Sequence, residues 1–159
     1  MNLEQELREL TMTNYGEKQA LRILRQNLPN CEFEWVGDRK EYFYKGDIIA
    51  TVGREKLFIE IKWDSYLAET GAIFVEESLD YYDEPTLTGW IYAEKPHIIG
   101  YVSSDNKLYL MDFELLKQYH KRVGKLKKCN KDNNKTTQGY VCQIKDLNNF
   151  MKIDILSLA

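Results

Sequence analysis

The stretch YKGDIIATVGREKLFIEIKW, Tyr44 to Trp63, limits what this chain can fold into more than any other. Two apolar runs flank Val52-Gly53-Arg54-Glu55. A glycine at the first central position of a two-residue loop suits a type II′ hairpin turn. That turn pairs Val52 with Glu55, and counting outward sets Asp47 opposite Glu60. Side chains alternate faces along a strand. Phe58, Glu60 and Lys62 therefore share one face, and Leu57, Ile59, Ile61 and Trp63 share the other. The second set is wholly apolar and is expected to face the core; the first carries both charges. Residues opposed across a hairpin share a face, with Cβ atoms about 5 Å apart. The register thus predicts an Asp47–Glu60–Lys62 group, which a slip of one residue would dissolve.

Two carboxylates at that distance repel each other, and a divalent cation is the group that offsets the repulsion best. Mg²⁺ takes one or two carboxylates together with water and phosphate oxygens. An adjacent lysine would then orient or deprotonate a water, or hold a phosphate oxygen. Metal-assisted phosphodiester hydrolysis needs this set. The alternative is an edge hairpin whose Glu60 and Lys62 are solvated charges.

The rest of the chain supplies elements to pack on the hairpin. Leu3, Leu7 and Leu10 recur at helical spacing, as do Ala20, Leu21, Leu24 and Leu28, with Thr13 or Asn14 as the cap between two helices. CEFEWV, 31–36, alternates as a strand, and so does AIFVEES, 72–78. LDYYDEP reads as an acidic loop, and TLTGWIYAEK as a short helix closed by Pro96. HIIGYVSS and KLYLMDF form a strand pair, and FELLKQYHKRV is a helix capped by Asp112. Residues 124–139 read as a long polar loop, YVCQIKDL as a strand, and the C-terminus as a short helix or strand. This order predicts one domain over 1–159, an α/β (α+β) fold with a mixed central sheet flanked by helices.

Composition removes several classes. The chain has 159 residues, 43% hydrophobic and 30% charged, enough for a core under a polar surface. The start, MNLEQELREL, lacks the apolar stretch of a signal peptide, and no uncharged run is long enough for a membrane span, so a cytoplasmic protein is expected. Cys31, Cys129 and Cys142 form no CxxC pair, which disfavours zinc and a disulfide framework. The net charge of −3 hides a separation: 120–135 carries seven Lys/Arg against one Asp, whereas 65–94 carries seven acids and no base. Such separation fits a polyanion met on one side, or simply a solvated basic loop.

The pattern GD-x12-E-I-K, Asp47 through Glu60 and Lys62, resembles the PD-(D/E)XK nuclease superfamily. Gly46 stands where that family usually has proline. A helix carrying an acid before the hairpin, and a strand, helix and strand after it, are similar to the superfamily core, restriction-endonuclease-like. ETGAIFVEE, TGWIYAEKPHIIGYV and KLYLMDFELLK look more specifically like the small domains grouped with Holliday-junction resolvases and phage endonucleases. The resemblance spans roughly Asn14 to Lys121. It implies a Mg²⁺- or Mn²⁺-dependent endodeoxyribonuclease of DNA recombination, acting as a homodimer on branched DNA. Asp47 and Glu60 would bind the metal with the Ile61 carbonyl, and Lys62 would position the attacking water. A helix carboxylate near the metal is also implied. Glu17, on the face of Leu21, Leu24 and Leu28, fits, with Glu6 in reserve; an ordinary first-turn glutamate is the competing reading.

Thr70 and Gly71 correspond to a loop that could touch a phosphate. Lys121, Arg122, Lys125, Lys127 and Lys128 are the DNA-contact candidates, a set suited to phosphates rather than to base reading. Glu76 and Glu77 are expected to be solvated, with one of them facing the metal as the alternative. Trp90 is expected in the core, with a place beside a nucleic-acid strand the alternative for it and Tyr92. The acids from Glu76 to Glu84 would repel a duplex, so DNA avoids that side or the loop meets a partner or sister subunit. Two further readings stay open: a non-catalytic binding protein on a nuclease fold, and a restriction-type nuclease whose base-reading element would be the loop 124–139.

Overall fold

The computed structural model describes residues 2–81, 87–123, 127–132 and 135–159, with side chains except at 79–81, 87, 123, 127–132, 135 and 136. Its centre is a six-stranded mixed sheet in the order β1-β2-β3-β6-β7-β10. β1 (Glu32–Trp35), β2 (Ile48–Val52) and β3 (Glu55–Asp64) form an antiparallel meander. β6 (Ile98–Ser103) lies parallel to β3, and β7 (Lys107–Asp112) and β10 (Asp154–Ser157) continue antiparallel to one edge. This is the mixed α+β architecture expected from the order of elements.

The β2–β3 register is the predicted one: Val52 pairs with Glu55 and Ile48 with Ile59. Gly53 has φ 63, and Arg54 is not among the positive-φ residues, the signature of a type II′ turn. A wrong register would turn Ile59 and Ile61 out of the core.

Helix α2 (Tyr15–Asn27) starts at Asn14, whose side chain accepts the Glu17 N–H. It lays Ala20, Leu21, Ile23 and Leu24 over Phe33, Ile48, Ile59 and Ile61 on one face of the sheet. The other face carries Ile99, Tyr101 and Met111. They pack against α5 (Phe113–Val123), α6 (Ile144–Phe150) and a second sheet. Asp112 caps α5 by accepting the Leu115 N–H.

Several expectations are corrected. AIFVEES does not join the central sheet. It belongs to β4 (Ala72–Tyr81), in a four-stranded antiparallel sheet of order β5-β4-β9-β8, with β5 Leu87–Thr88, β8 Lys127–Asp132 and β9 Lys135–Gln143. The polar stretch 124–139 is therefore largely a strand pair rather than a loop, and pairing overrides its loop-like composition. The acidic segment runs as strand up to Tyr81; 82–86 lies outside the described residues. TLTGWIYAEK is helical only over α4 (Trp90–Ala93). Helix α1 (Leu3–Leu10) forms as predicted, but Leu3, Leu7 and Leu10 face solvent because no element lies over them. Trp63 is 44% exposed rather than in the core, near the end of β3, where its ring meets Tyr15 edge-on at the start of α2.

Candidate active site

The candidate site lies where β2 begins. Backbone pairing between β2 and β3 stops at Ile48–Ile59, with one further bond from the Asp47 N–H to the Ile59 carbonyl. The next donor along β3, the Ile61 N–H, has no backbone partner there and donates to Asp47 Oδ2 at 2.8 Å. N–H and C=O of one strand residue point to the same side. The Ile61 carbonyl thus lies on the edge that Asp47 occupies.

Gly46 makes this possible. Its φ is 151, and a Cβ there would sit 2.8 Å from the Ile59 carbonyl oxygen. Any side chain would push the chain off β3 and carry Asp47 with it. The glycine before Asp47 is thus a geometric requirement of this chain.

Glu17 comes from the helix side of the sheet. Its Oε2 accepts the Trp35 indole N–H at 2.8 Å, and its charge acts on the neighbouring Asp47 carboxyl. Glu60 comes from the other face, near enough to Asp47 for that carboxyl's charge to raise its affinity for protons. Glu60 is 8% exposed. Its Oε1 holds Lys62 Nζ at 2.9 Å, and Lys62 also reaches Glu94 Oε1 at 3.2 Å. The ammonium stands 5.3 Å above the centre of the Trp90 ring.

Two carboxylates, Glu60 and Glu94, hold the one ammonium, and Asp47 and Glu17 stand near by, an excess of acid that shows in the affinities for protons. Burial, then the neighbouring Glu17 charge, pushes Asp47 up to about 7. Burial, helped by the Asp47 charge and opposed by Lys62, pushes Glu60 up to about 7. Glu94 rises to about 7, mainly through burial. Glu17 is raised by burial against the Trp35 hydrogen bond. Burial works to neutralise Lys62, but Glu60 and Glu94 outweigh it, so the amine stays charged.

Those residues fit a hard divalent cation: two opposed carboxylates and a carbonyl are oxygen donors, and the local excess of negative charge is what such an ion offsets. Among the described residues no group of three or more His, Cys, Asp or Glu is placed to hold a metal ion.

The structure brings Asp47, Glu60, Lys62 and Glu17 together, and leaves Glu6 exposed on α1. Thr70 closes the one-turn helix α3 (Leu67–Thr70), its hydroxyl spent on the Tyr66 carbonyl, and Gly71 caps it with φ 66. Thr70 lines a cleft of about 890 Å³ that also takes in Lys62 and Glu94. Lys121 and Arg122 are exposed at the end of α5, and Lys127 and Lys128 stand on β8; Lys125 lies outside the described residues.

Neither Glu76 nor Glu77 is a plain solvated charge. Glu76 lines the cleft and helps to raise Glu94, and Glu77 lies 2.7 Å from the buried His120. Trp90 is in the core as expected, while Tyr92 hydrogen-bonds His120. Glu94 was not foreseen. Its one available signal is a carboxylate two residues before a proline that ends a short apolar turn, too common a pattern to single out.

With this geometry established, comparison with known proteins adds no relative: no family model, no curated protein and no solved structure matches the chain. Among the described residues no helix is long and apolar enough to cross a membrane.

Proposed function

We propose that this chain is a divalent-metal-dependent endodeoxyribonuclease, resembling the PD-(D/E)XK enzymes and, among them, those that resolve branched DNA. One observation carries the reading: Asp47, just beyond the last β2–β3 pair and holding the Ile61 N–H, is near enough to Glu60 for their charges to interact, and Glu60 holds Lys62. The meander β1-β2-β3 with β6 parallel to β3 supports it, since that arrangement resembles the core of those nucleases.

Asp47, Glu60 and the Ile61 carbonyl would hold the ion. When bound, Mg²⁺ or Mn²⁺ supplies charge neutralisation at the phosphoryl group and a more acidic water. Glu17 fixes Asp47 from behind and is itself fixed by Trp35. Lys62 stays protonated between Glu60 and Glu94, so its part is to orient a water or a phosphate oxygen rather than to remove a proton. Glu94 holds the second side of that amine. Two cuts in a branched substrate need two such centres, which is why a homodimer belongs to the proposal.

The test is cleavage of a four-way junction in Mg²⁺ by the full chain and by Asp47→Ala, Glu60→Ala and Lys62→Ala. Each substitution should lower the rate by about 10²-fold or more while junction binding persists. Unchanged cleavage by Glu60→Ala removes the assigned roles.

A further inference from the structure

The cleft beside Lys62 has a composition that the hydrolytic centre does not require. It is bounded by the end of β3, by Tyr66 and Thr70, by Phe74 and Glu76 of β4, and by Gln143 of β9. Its volume, about 890 Å³, falls in the range of roughly 300–1,000 Å³ typical of small-molecule sites. Trp90 and Tyr101 contribute apolar lining, both nearly buried. Tyr66 is 70% exposed, so its ring has an open face.

The charge in the cleft is of the wrong sign for a phosphate backbone. Asp64 and Glu94 line it beside Lys62, the one cation among its described lining residues, and Lys62 is already bound to two carboxylates. A strand laid lengthwise would bring its phosphates against Asp64. The neutral part of a nucleotide meets no such barrier. Its flat ring stacks on aromatic side chains, and its edge pairs with carboxylate acceptors and with the amide of Gln143.

We infer that the cleft receives one unpaired nucleobase of the substrate, so that the scissile phosphate lies at the Lys62 end while the base points away between Tyr66 and Gln143. This rests on the phosphodiesterase reading and narrows it: the substrate is DNA with an unpaired nucleotide next to the cut, not continuous duplex. A base inside a duplex would first have to leave its stack, which costs binding energy that an already unpaired base does not lose.

The test uses the full chain and DNA carrying 2-aminopurine, a fluorescent base, either unpaired at a flap or junction branch or paired within a duplex. Fluorescence is read in EDTA, where no metal-dependent cleavage occurs. Cleavage of the same DNAs is read in Mg²⁺, with Tyr66→Ala and Gln143→Ala as variants. The expected result is a fluorescence change for the unpaired probe only, reduced in Tyr66→Ala. Cleavage of the unpaired substrate should fall about tenfold or more in that variant. Circular dichroism confirms that the variants fold.

A fluorescence change without any cleavage by the native chain supports the base cleft and overturns the nuclease reading. Cleavage that is indifferent to Tyr66, to Gln143 and to pairing at the probed position, with no fluorescence change, overturns the base cleft and leaves the nuclease reading standing.

Discussion

Trp35 donates its indole N–H to Glu17 at 2.8 Å, and this one bond ties the helix on one face of the sheet to the carboxyl groups at the start of β2. Trp35 is buried in β1, so its position is set by the core. Glu17 inherits that position and passes it to Asp47.

Removing the donor is therefore expected to act at two places. Trp35→Phe keeps most of the packing and leaves the Glu17 carboxylate short of a partner. Urea denaturation should show a loss of about 1–3 kcal/mol, the range for an unpaired buried polar group. Junction cleavage should fall as well, because Asp47 loses its support. A variant of native stability and native rate would show that the bond positions nothing.

The raised carboxyl groups set the sign of the pH dependence. Asp47 and Glu60 rise from ordinary values of 3.8 and 4.5 to about 7 in the folded chain. Between those limits the folded state holds protons that the unfolded chain has released. The stabilisation is full below about pH 4, is lost as pH rises towards about 7, and does not change further above that. In EDTA the melting temperature should therefore be higher near pH 5 than near pH 8, and Asp47→Asn should flatten the difference. Mg²⁺ should restore more stability at the alkaline end, where protons no longer compete for the carboxylates.

Gly46 offers a test of geometry that touches no catalytic group. A Cβ at this position lies 2.8 Å from the Ile59 carbonyl, and the backbone φ is 151. Gly46→Ala should cost about 1–3 kcal/mol, the range for backbone forced into a disfavoured region. Gly46→Pro should cost more, since proline requires φ near −65° and removes an N–H that donates to Tyr42. Both should depress cleavage by moving Asp47.

On the proposed function, the basic residues in the last turn of α5 act only through phosphates. Lys121→Ala and Arg122→Ala, both at exposed positions, should weaken binding of all DNAs alike. Each should reduce the slope of log K against log salt by about 0.9 if it makes one phosphate contact. A change confined to one sequence would instead indicate base reading.

The part of this architecture that could be read from residues was the part fixed locally. Gly53 determines the hairpin turn, the turn determines the register, and the register runs to Ile48 opposite Ile59, with Asp47 next along the chain. Asn14 and Asp112 announce helix starts by chemistry that acts over three residues. What stayed hidden depends on distant partners. β4 pairs with β9, some sixty residues further on, and nothing in AIFVEES distinguishes that partner from the central sheet. KKCNKD has no apolar alternation and becomes a strand through pairing. Leu3, Leu7 and Leu10 have the period of a buried face without a surface to bury it. Glu94 matters only because α4 brings it to Lys62, 32 residues away in sequence.

The most direct measurement is anomalous diffraction from crystals of this chain soaked in Mn²⁺ above pH 7. A manganese peak between the Asp47 and Glu60 carboxylates, within ligand distance of the Ile61 carbonyl, is the expected result. Crystals that show these carboxylates ordered as here and no ion between them at saturating Mn²⁺ would contradict a metal-dependent centre.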